Sequence, residues 1–374
     1  MFELTPFKIA VSEEEISDLK TKLAATRFPE AETVDDWTQG IPLTYMQEVS
    51  EYWQHEYDWY RCQNRINEYA QIVTSVFGVN IHLLHVESDQ PDAHALVLTH
   101  GWPGSIVEFL DVIEPLRKHF HLVIPSLPGY GFSGKPTHHG WNVEKIANAW
   151  NTIMGRLGYD RYLAQGGDWG AAVTTALATN HSDHCIGMHT NMPTVGPDRD
   201  TLNDLTEFEQ NALKGSKFYQ DWDSGYSKQQ STRPQTLGYG LVDSPIGQAA
   251  WILEKFYQWT DCKGHPENAL TRDQLLDNVM LYWLSGSGAS SARLYWESFG
   301  RGGSAKDIMI QSGVTIYPHE IFKASERWVR RRFTNLKHYA IQEAGGHFAA
   351  FEQPELFVQD LLTCFAKFNL AEND

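Results

Sequence analysis

Apolar residues in this chain fall into short unbroken runs that alternate with longer stretches at helical spacing, a pattern that predicts a layered α/β domain. Residues 95–99 are apolar on both faces and end in a Gly/Pro turn, as a buried strand of a parallel sheet does. Phe109, Leu110, Ile113 and Leu116 then keep helical spacing, and residues 122–124 form the next strand, completing a βαβ unit. Val143, Ile146, Ala147, Trp150, Ile153, Met154 and Leu157 mark one face of a helix that Gly158 closes. A short apolar-centred strand at 161–165 and an alanine-rich helix at 171–179 follow it. Further strands are expected at 186–190, 314–317 and 338–341, and Leu356, Phe357, Leu361, Leu362 and Phe365 line a last amphipathic helix.

The flanking segments read differently. Residues 12–27 place Ile16, Leu19 and Leu23 at helical spacing behind an acidic start. Residues 44–69, crowded with Trp53, Tyr57, Trp59 and Tyr60, continue as helix, and 81–86 form a strand. Between 201 and 300, polar helix-favouring segments alternate with Trp222, Tyr226, Tyr239, Trp251, Trp259, Tyr295 and other aromatics, which suits a helical lid and not a sheet. The expected organisation is an N-terminal extension wrapping the core (1–90), a first core part (91–200), a lid (201–300) and a second core part (301–374).

Composition narrows the function. The chain has 374 residues and a formal net charge of −17, and its one basic block, Arg330-Arg331-Arg332, reads as a solvated helix face. Nucleic acid is therefore excluded as a partner. Four scattered cysteines, Cys62, Cys185, Cys262 and Cys364, lack the close pairs of a zinc or redox motif and are expected to be reduced. His181, His184 and Cys185 lie close in sequence, but no further ligand accompanies them, so no metal is expected. No glycine pattern that cradles phosphate opens a helix, so no cofactor is expected either. Residues 1–18 show neither a basic leader nor an apolar span, which points to a soluble cytoplasmic protein.

The chemistry centres on Gly166-Gly167-Asp168-Trp169-Gly170, between a strand and a helix. This is the setting of a nucleophile elbow, with a carboxylate where ester-cleaving hydrolases carry serine. A carboxylate is anionic at neutral pH and needs no base in order to attack. On a carbonyl it would form a reactive anhydride, whereas on saturated carbon it forms an ordinary ester that water can later cleave. The electrophile is thus an epoxide or an alkyl halide.

His100-Gly101-Trp102-Pro103-Gly104 follows the strand 95–99, where an α/β-hydrolase fold places one oxyanion-hole amide; Trp102 would supply it and Trp169 the other. His347, in Gly345-Gly346-His347-Phe348 after the last strand, completes the order nucleophile, acid, histidine. Glu320 is the best-placed acid, just beyond the strand 314–317, while Glu326 and Glu343 sit in less suitable contexts.

Together these segments resemble the epoxide hydrolases of the microsomal and juvenile-hormone type over nearly the whole chain. The resemblance rests on His100-Gly101-Trp102-Pro103-Gly104-Ser105, the segment 125–133 (Pro-Ser-Leu-Pro-Gly-Tyr-Gly-Phe-Ser), residues 166–170 and Gly345-Gly346-His347-Phe348-Ala349-Ala350-Phe351. It implies Asp168 as nucleophile, His347 as base and Glu320, in Pro318-His319-Glu320-Ile321, as its carboxylate partner. It also implies that Tyr226 and Tyr295 are the phenols that activate the epoxide. Asp168 would open the ring, and His347, neutral near pH 7, would then activate water to release a vicinal diol. The implied partners are an apolar epoxide and water, with no membrane anchor and with a homo-oligomer compatible. Departures lie in the N-terminal arm, where the family's Tyr-Asp-Trp-Arg appears as Tyr57-Asp58-Trp59-Tyr60 and the surroundings of Asn67 match only in part. A haloalkane or haloacid dehalogenase, which uses the same aspartate ester, is the rival reading.

Overall fold

The structure, a computed structural model, describes residues 3–299 and 306–370. The expected boundary between lid and second core part, at 300/301, lies outside the described residues. Nine strands form one sheet there: β1 (Thr5–Phe7), β2 (Gln71–Val76), β3 (Val79–Val86), β4 (Ala95–Thr99), β5 (His121–Pro125), β6 (Tyr162–Gly166), β7 (Cys185–Thr190), β8 (Gln311–Ile316) and β9 (Leu336–Ile341). Their spatial order is β1-β2-β3-β5-β4-β6-β7-β8-β9. Pairs β1/β2, β2/β3 and β3/β5 are antiparallel, and the six strands from β5 to β9 are parallel. This is the α/β-hydrolase fold, with its mostly parallel sheet flanked by helices.

The central strands β4, β5 and β6 are buried at every position, which is why their sequences read as apolar-centred runs and not as alternation. Helix Val143–Arg156 packs Ile146, Ala147, Trp150, Ile153 and Met154 inward, is capped by Asn142, whose side-chain oxygen accepts the Lys145 N–H, and ends before Gly158 at φ +89°. From β4 the chain moves one way to β5, then returns to the other side of β4 for β6. The loops after β4 and β6 therefore diverge at the carboxyl edge of the sheet and open a crevice there.

Some expectations need correction. Strands β1 and β2 went unread: β1 is three residues long, and β2 mixes buried and partly buried positions without a clean alternation. The segment 44–69 is two helices, Leu43–His55 and Trp59–Ile66, because the Asp58 side chain accepts from Tyr60 N–H and starts a second helix. The helix expected through Phe109 and Leu116 is a 3-10 turn, Ile106–Phe109, followed by Ile113–Arg117. The arginine triplet follows a short helix, Glu326–Val329, and is tied down: Arg330 to Glu326, Arg331 to Asp198, and Arg332 to the Thr194 carbonyl.

The N-terminal segment anchors the lid. Helix Arg272–Leu284 presents Asp277 to Tyr57 Oη at 2.7 Å and to Arg61 at 2.8 Å, and Asp273 to Tyr52 Oη at 2.8 Å. Arg61, one position past the departure at Tyr60, carries the ion pair. Asn67 exchanges two hydrogen bonds with the backbone of Ile9, at 3.0 and 2.8 Å, and so pins the arm to the sheet.

Asp360, on the last helix, sits between His189 Nε2 (3.0 Å), His338 Nε2 (2.8 Å) and Thr315 Oγ1 (2.6 Å). Burial works to raise its carboxyl pKa, but the two imidazoles and the hydroxyl outweigh burial and hold it below the usual range. A depressed carboxylate contributes stability above its unfolded pKa and loses it as pH falls through the folded one. Asp360→Asn is expected to cost about 3 kcal/mol at pH 7, measured by urea unfolding, with the deficit shrinking in acid. An unchanged midpoint would mean that the network adds nothing.

Candidate active site

Four loops at the carboxyl ends of parallel strands build the site: β4 leads to His100-Gly101-Trp102, β6 to Asp168, β8 to Glu320 and β9 to His347. Asp168 stands at φ +50°, in the left-handed region that side chains other than glycine rarely adopt. The turn is possible because its neighbours lack side chains. A Cβ on Gly166 would overlap the Gly170 carbonyl, and one on Gly170 would overlap the Thr99 carbonyl of β4. The strain lifts the Asp168 side chain off the sheet edge, into the crevice.

Asp168 Oδ1 accepts the Trp102 N–H at 2.8 Å, and Oδ2 lies 3.5 Å from His347 Nε2. His347 Nδ1 is 2.7 Å from Glu320 Oε1. Glu320 also accepts the Ile321 N–H at 2.7 Å and a longer bond from Asn191 Nδ2 at 3.4 Å. The base is seated by its own backbone, since His347 N–H donates to the Trp259 carbonyl at 2.9 Å, and by the Trp259 ring, edge-on at 5.0 Å. Glu326, a weaker candidate for the acid, is instead paired with Arg330 on its own helix.

Burial opposes a charge on His347, yet the carboxylates of Glu320 and Asp168 outweigh it and hold the imidazole well above its ordinary range. In the unreacted site the ring is thus an imidazolium between two carboxylates. This differs from the neutral ring expected near pH 7, because the sequence reading weighed neither carboxylate's charge against burial.

The Trp102 loop is held from above. Asn278 Nδ2 donates to the Pro103 carbonyl at 2.8 Å, Tyr282 Oη to the Gly104 carbonyl at 2.7 Å, and Ser105 Oγ to Asn278 Oδ1 at 2.7 Å. The lid helix that the N-terminal arm clamps therefore also fixes the amide that faces Asp168. Trp169 lies in the first turn of helix Asp168–Asn180, where backbone N–H groups have no partner within the helix.

Tyr226, on helix Gly225–Thr232, and Tyr295, on helix Gly288–Ser298, come together above Asp168 with rings 5.7 Å apart. Trp102 stacks on Tyr226 at 4.9 Å, and Trp169 meets Tyr295 edge-on at 4.8 Å. Both phenols are driven well above their usual pKa by burial, with the neighbouring tyrosines and the Asp168 charge adding to it, so they remain protonated donors. A cavity of about 670 Å³ opens here, lined by Asp168, Trp169, Tyr226, Tyr295 and Phe299 among others.

The sequence reading missed two groups. Tyr219, in the π-helical turn Tyr219–Asp223, pairs its hydroxyl with that of Tyr226 at 3.0 Å and lines the same cavity. Nothing set it apart from the other lid aromatics. Asn191 follows the carboxyl end of β7, a position that could have singled it out. Among the described residues no group of three or more His, Cys, Asp and Glu side chains could hold a metal ion. His181 and His184 are engaged with Asn148 and the Asp160 carbonyl.

Fold and site together define an α/β-hydrolase whose elbow carries a carboxylate. Residues 4–109 match the family described as epoxide hydrolase N terminus, and residues 94–240 match the alpha/beta hydrolase fold family. A relative from Stigmatella aurantiaca that bears an epoxide hydrolase name is 49% identical over 97% of this chain and 84% of its own. Epoxide hydrolase 1 of Oryctolagus cuniculus is 35% identical over 96% of this chain and 88% of its own. The crystal structure of juvenile hormone epoxide hydrolase from the silkworm Bombyx mori superimposes with a TM-score of 0.90 at 32% identity, covering 98% of this chain and 95% of that one. The chain belongs to the epoxide hydrolase family, and it is a hydrolase. The dehalogenase alternative is not favoured.

Proposed function

We propose that Asp168, His347, Glu320, Tyr226 and Tyr295 carry out epoxide hydrolysis in two steps, with the amides of Trp102 and Trp169 as the oxyanion hole. Asp168 Oδ2 attacks an epoxide carbon while Tyr226 and Tyr295 donate hydrogen bonds to the ring oxygen and supply its proton. The observation that carries this reading is the occupied hole: Oδ1 already accepts the Trp102 N–H at 2.8 Å, which leaves Oδ2 as the nucleophile and presets Oδ1 as the ester carbonyl. Water, deprotonated by His347, then adds to that carbonyl. The negative charge develops on an oxygen that is already hydrogen-bonded, and each such donor contributes about 3 kcal/mol in comparable sites.

The walls of the 670 Å³ cavity are mostly aromatic and aliphatic, which fits an apolar epoxide. A single turnover in heavy-oxygen water is expected to put the label into Asp168 and none into the diol, read by mass spectrometry of the active-site peptide. Label appearing first in the diol would exclude the ester route.

A cytoplasmic location is part of the same proposal. Its support is the four cysteines, all buried and unpaired. Among the described residues no helix is long and apolar enough to cross a membrane. The proposed division of the chain keeps the extension, the two core parts and the lid at the boundaries read from the sequence, with the extension also lending β1 to β3 to the sheet.

A further inference from the structure

Asp168 also lines a second cavity, of about 20 Å³. That is room for one water molecule. Its polar walls include Asp168, His347, Glu108, Gln165 and Asn191. Gln165, on β6 and 1% exposed, has an Oε1 atom with no hydrogen-bond partner among the described residues. A buried amide oxygen left unpaired costs on the order of 1–3 kcal/mol.

The direction in which that oxygen points follows from the acid. Glu320 accepts the bond it shares with Asn191, so Asn191 must turn Nδ2 toward it, at 3.4 Å. Asn191 Oδ1 then faces Gln165 and takes its Nε2 at 3.2 Å. Gln165 has only Oε1 left to present elsewhere. The same cavity is lined by Glu108, whose Oε1 is held by the Ser105 N–H at 3.0 Å. Burial first, and then the Asp168 charge against the opposing one of His347, leave its pKa at about 8, so it carries a proton at neutral pH and can donate.

We infer that this small cavity is the seat of the hydrolytic water, with Gln165 and Glu108 as positioning residues that the catalytic groups alone do not reveal. The inference rests on the proposed Asp168 ester. The water donates one hydrogen to Gln165 Oε1 and the other to His347 Nε2, and accepts from Glu108, which leaves one lone pair for the ester carbon. As its oxygen bonds to Asp168 Cγ, its proton passes to His347 and the carbonyl electrons move to Oδ1. Collapse of that intermediate breaks the bond from Cγ to the ester oxygen. The departing alkoxide takes the proton back from His347, Asp168 keeps the water's oxygen, and the water's second proton leaves the new carboxyl group for the tyrosinate that ring opening produced, which restores both groups.

The test separates the two half-reactions, with styrene oxide as the probe. Rapid-quench mass spectrometry gives the rate of alkylation and the rate of ester hydrolysis for the wild type and for Gln165→Leu, which keeps side-chain bulk and removes the acceptor. Hydrolysis is expected to slow about 100-fold while alkylation stays within about twofold, so that alkyl-enzyme accumulates. Gln165→Glu, which retains an acceptor, is expected to recover at least about a tenth of the lost rate, and Glu108→Gln, which retains the bond to Ser105, to slow hydrolysis alone by about 10-fold. If the wild type forms the ester and the leucine variant hydrolyses it at the wild-type rate, or if both steps fall together, the water seat is wrong and the Asp168 reading stands. If the wild type forms no ester, both fail.

Discussion

Replacing His347 by glutamine is expected to halt the enzyme as an alkylated protein. Asp168 needs no base for its attack, and the phenols above it are untouched, so one substrate molecule should still add. The ester then has no group that can take a proton from water. Turnover should fall by about 10³-fold or more, in line with the loss of a positioned general base, and the intact mass should rise by one substrate. Glu320, 2.7 Å from Nδ1, cannot substitute, because it lies on the far side of the ring from Asp168. An unmodified mass while substrate disappears would remove His347 from the role proposed for it.

The second large effect is expected from Tyr226→Phe combined with Tyr295→Phe. Here the first half-reaction should collapse. Ring opening places charge on the epoxide oxygen, and two buried phenols held above their usual pKa supply the hydrogen bonds and the proton for it. At about 3 kcal/mol for one donor, and less than twice that for two neighbouring ones, alkylation should slow by roughly 10³- to 10⁴-fold in a burst experiment. The single Tyr226→Phe variant should be milder, because Tyr295 remains and Tyr219 stands 3.0 Å from the lost hydroxyl. Full activity in the double variant would reopen the dehalogenase reading, which needs halide donors and no phenols.

Much of the architecture was legible because the parallel core writes itself plainly. β4 and β6 are short apolar runs bounded by glycine, and Gly158 stops the helix between them where the left-handed closure demands it. The edge strands were not legible. β1 pairs only three residues, and β2 mixes buried and partly buried positions without alternation, so neither carries a period that competes with its surroundings.

The site divides in the same way. Asp168, His347 and Glu320 follow strands in the order the fold uses, and the two glycines around Asp168 announce a turn that other residues could not make. The tyrosines lie on lid helices amid many other aromatics, so spacing alone could not choose Tyr226 and Tyr295; likeness to relatives did. Asn191 was marked only by its place after β7, and Gln165 by nothing in the sequence. Their importance comes from a hydrogen-bond chain that starts at Glu320, and it exists only once β6, β7 and the Glu320 loop are side by side.

The ion pair between His347 and Asp168 also bears on the timing of the reaction. Glu320 first, and the free Asp168 carboxylate with it, hold the imidazole pKa up, and a charged imidazole cannot take up a proton. Forming the ester erases that neighbouring charge, and the ring's affinity for its proton drops. On the proposed ester route, the first step thus relieves the base of one of its two charged neighbours and moves its proton affinity in the direction that the second step needs.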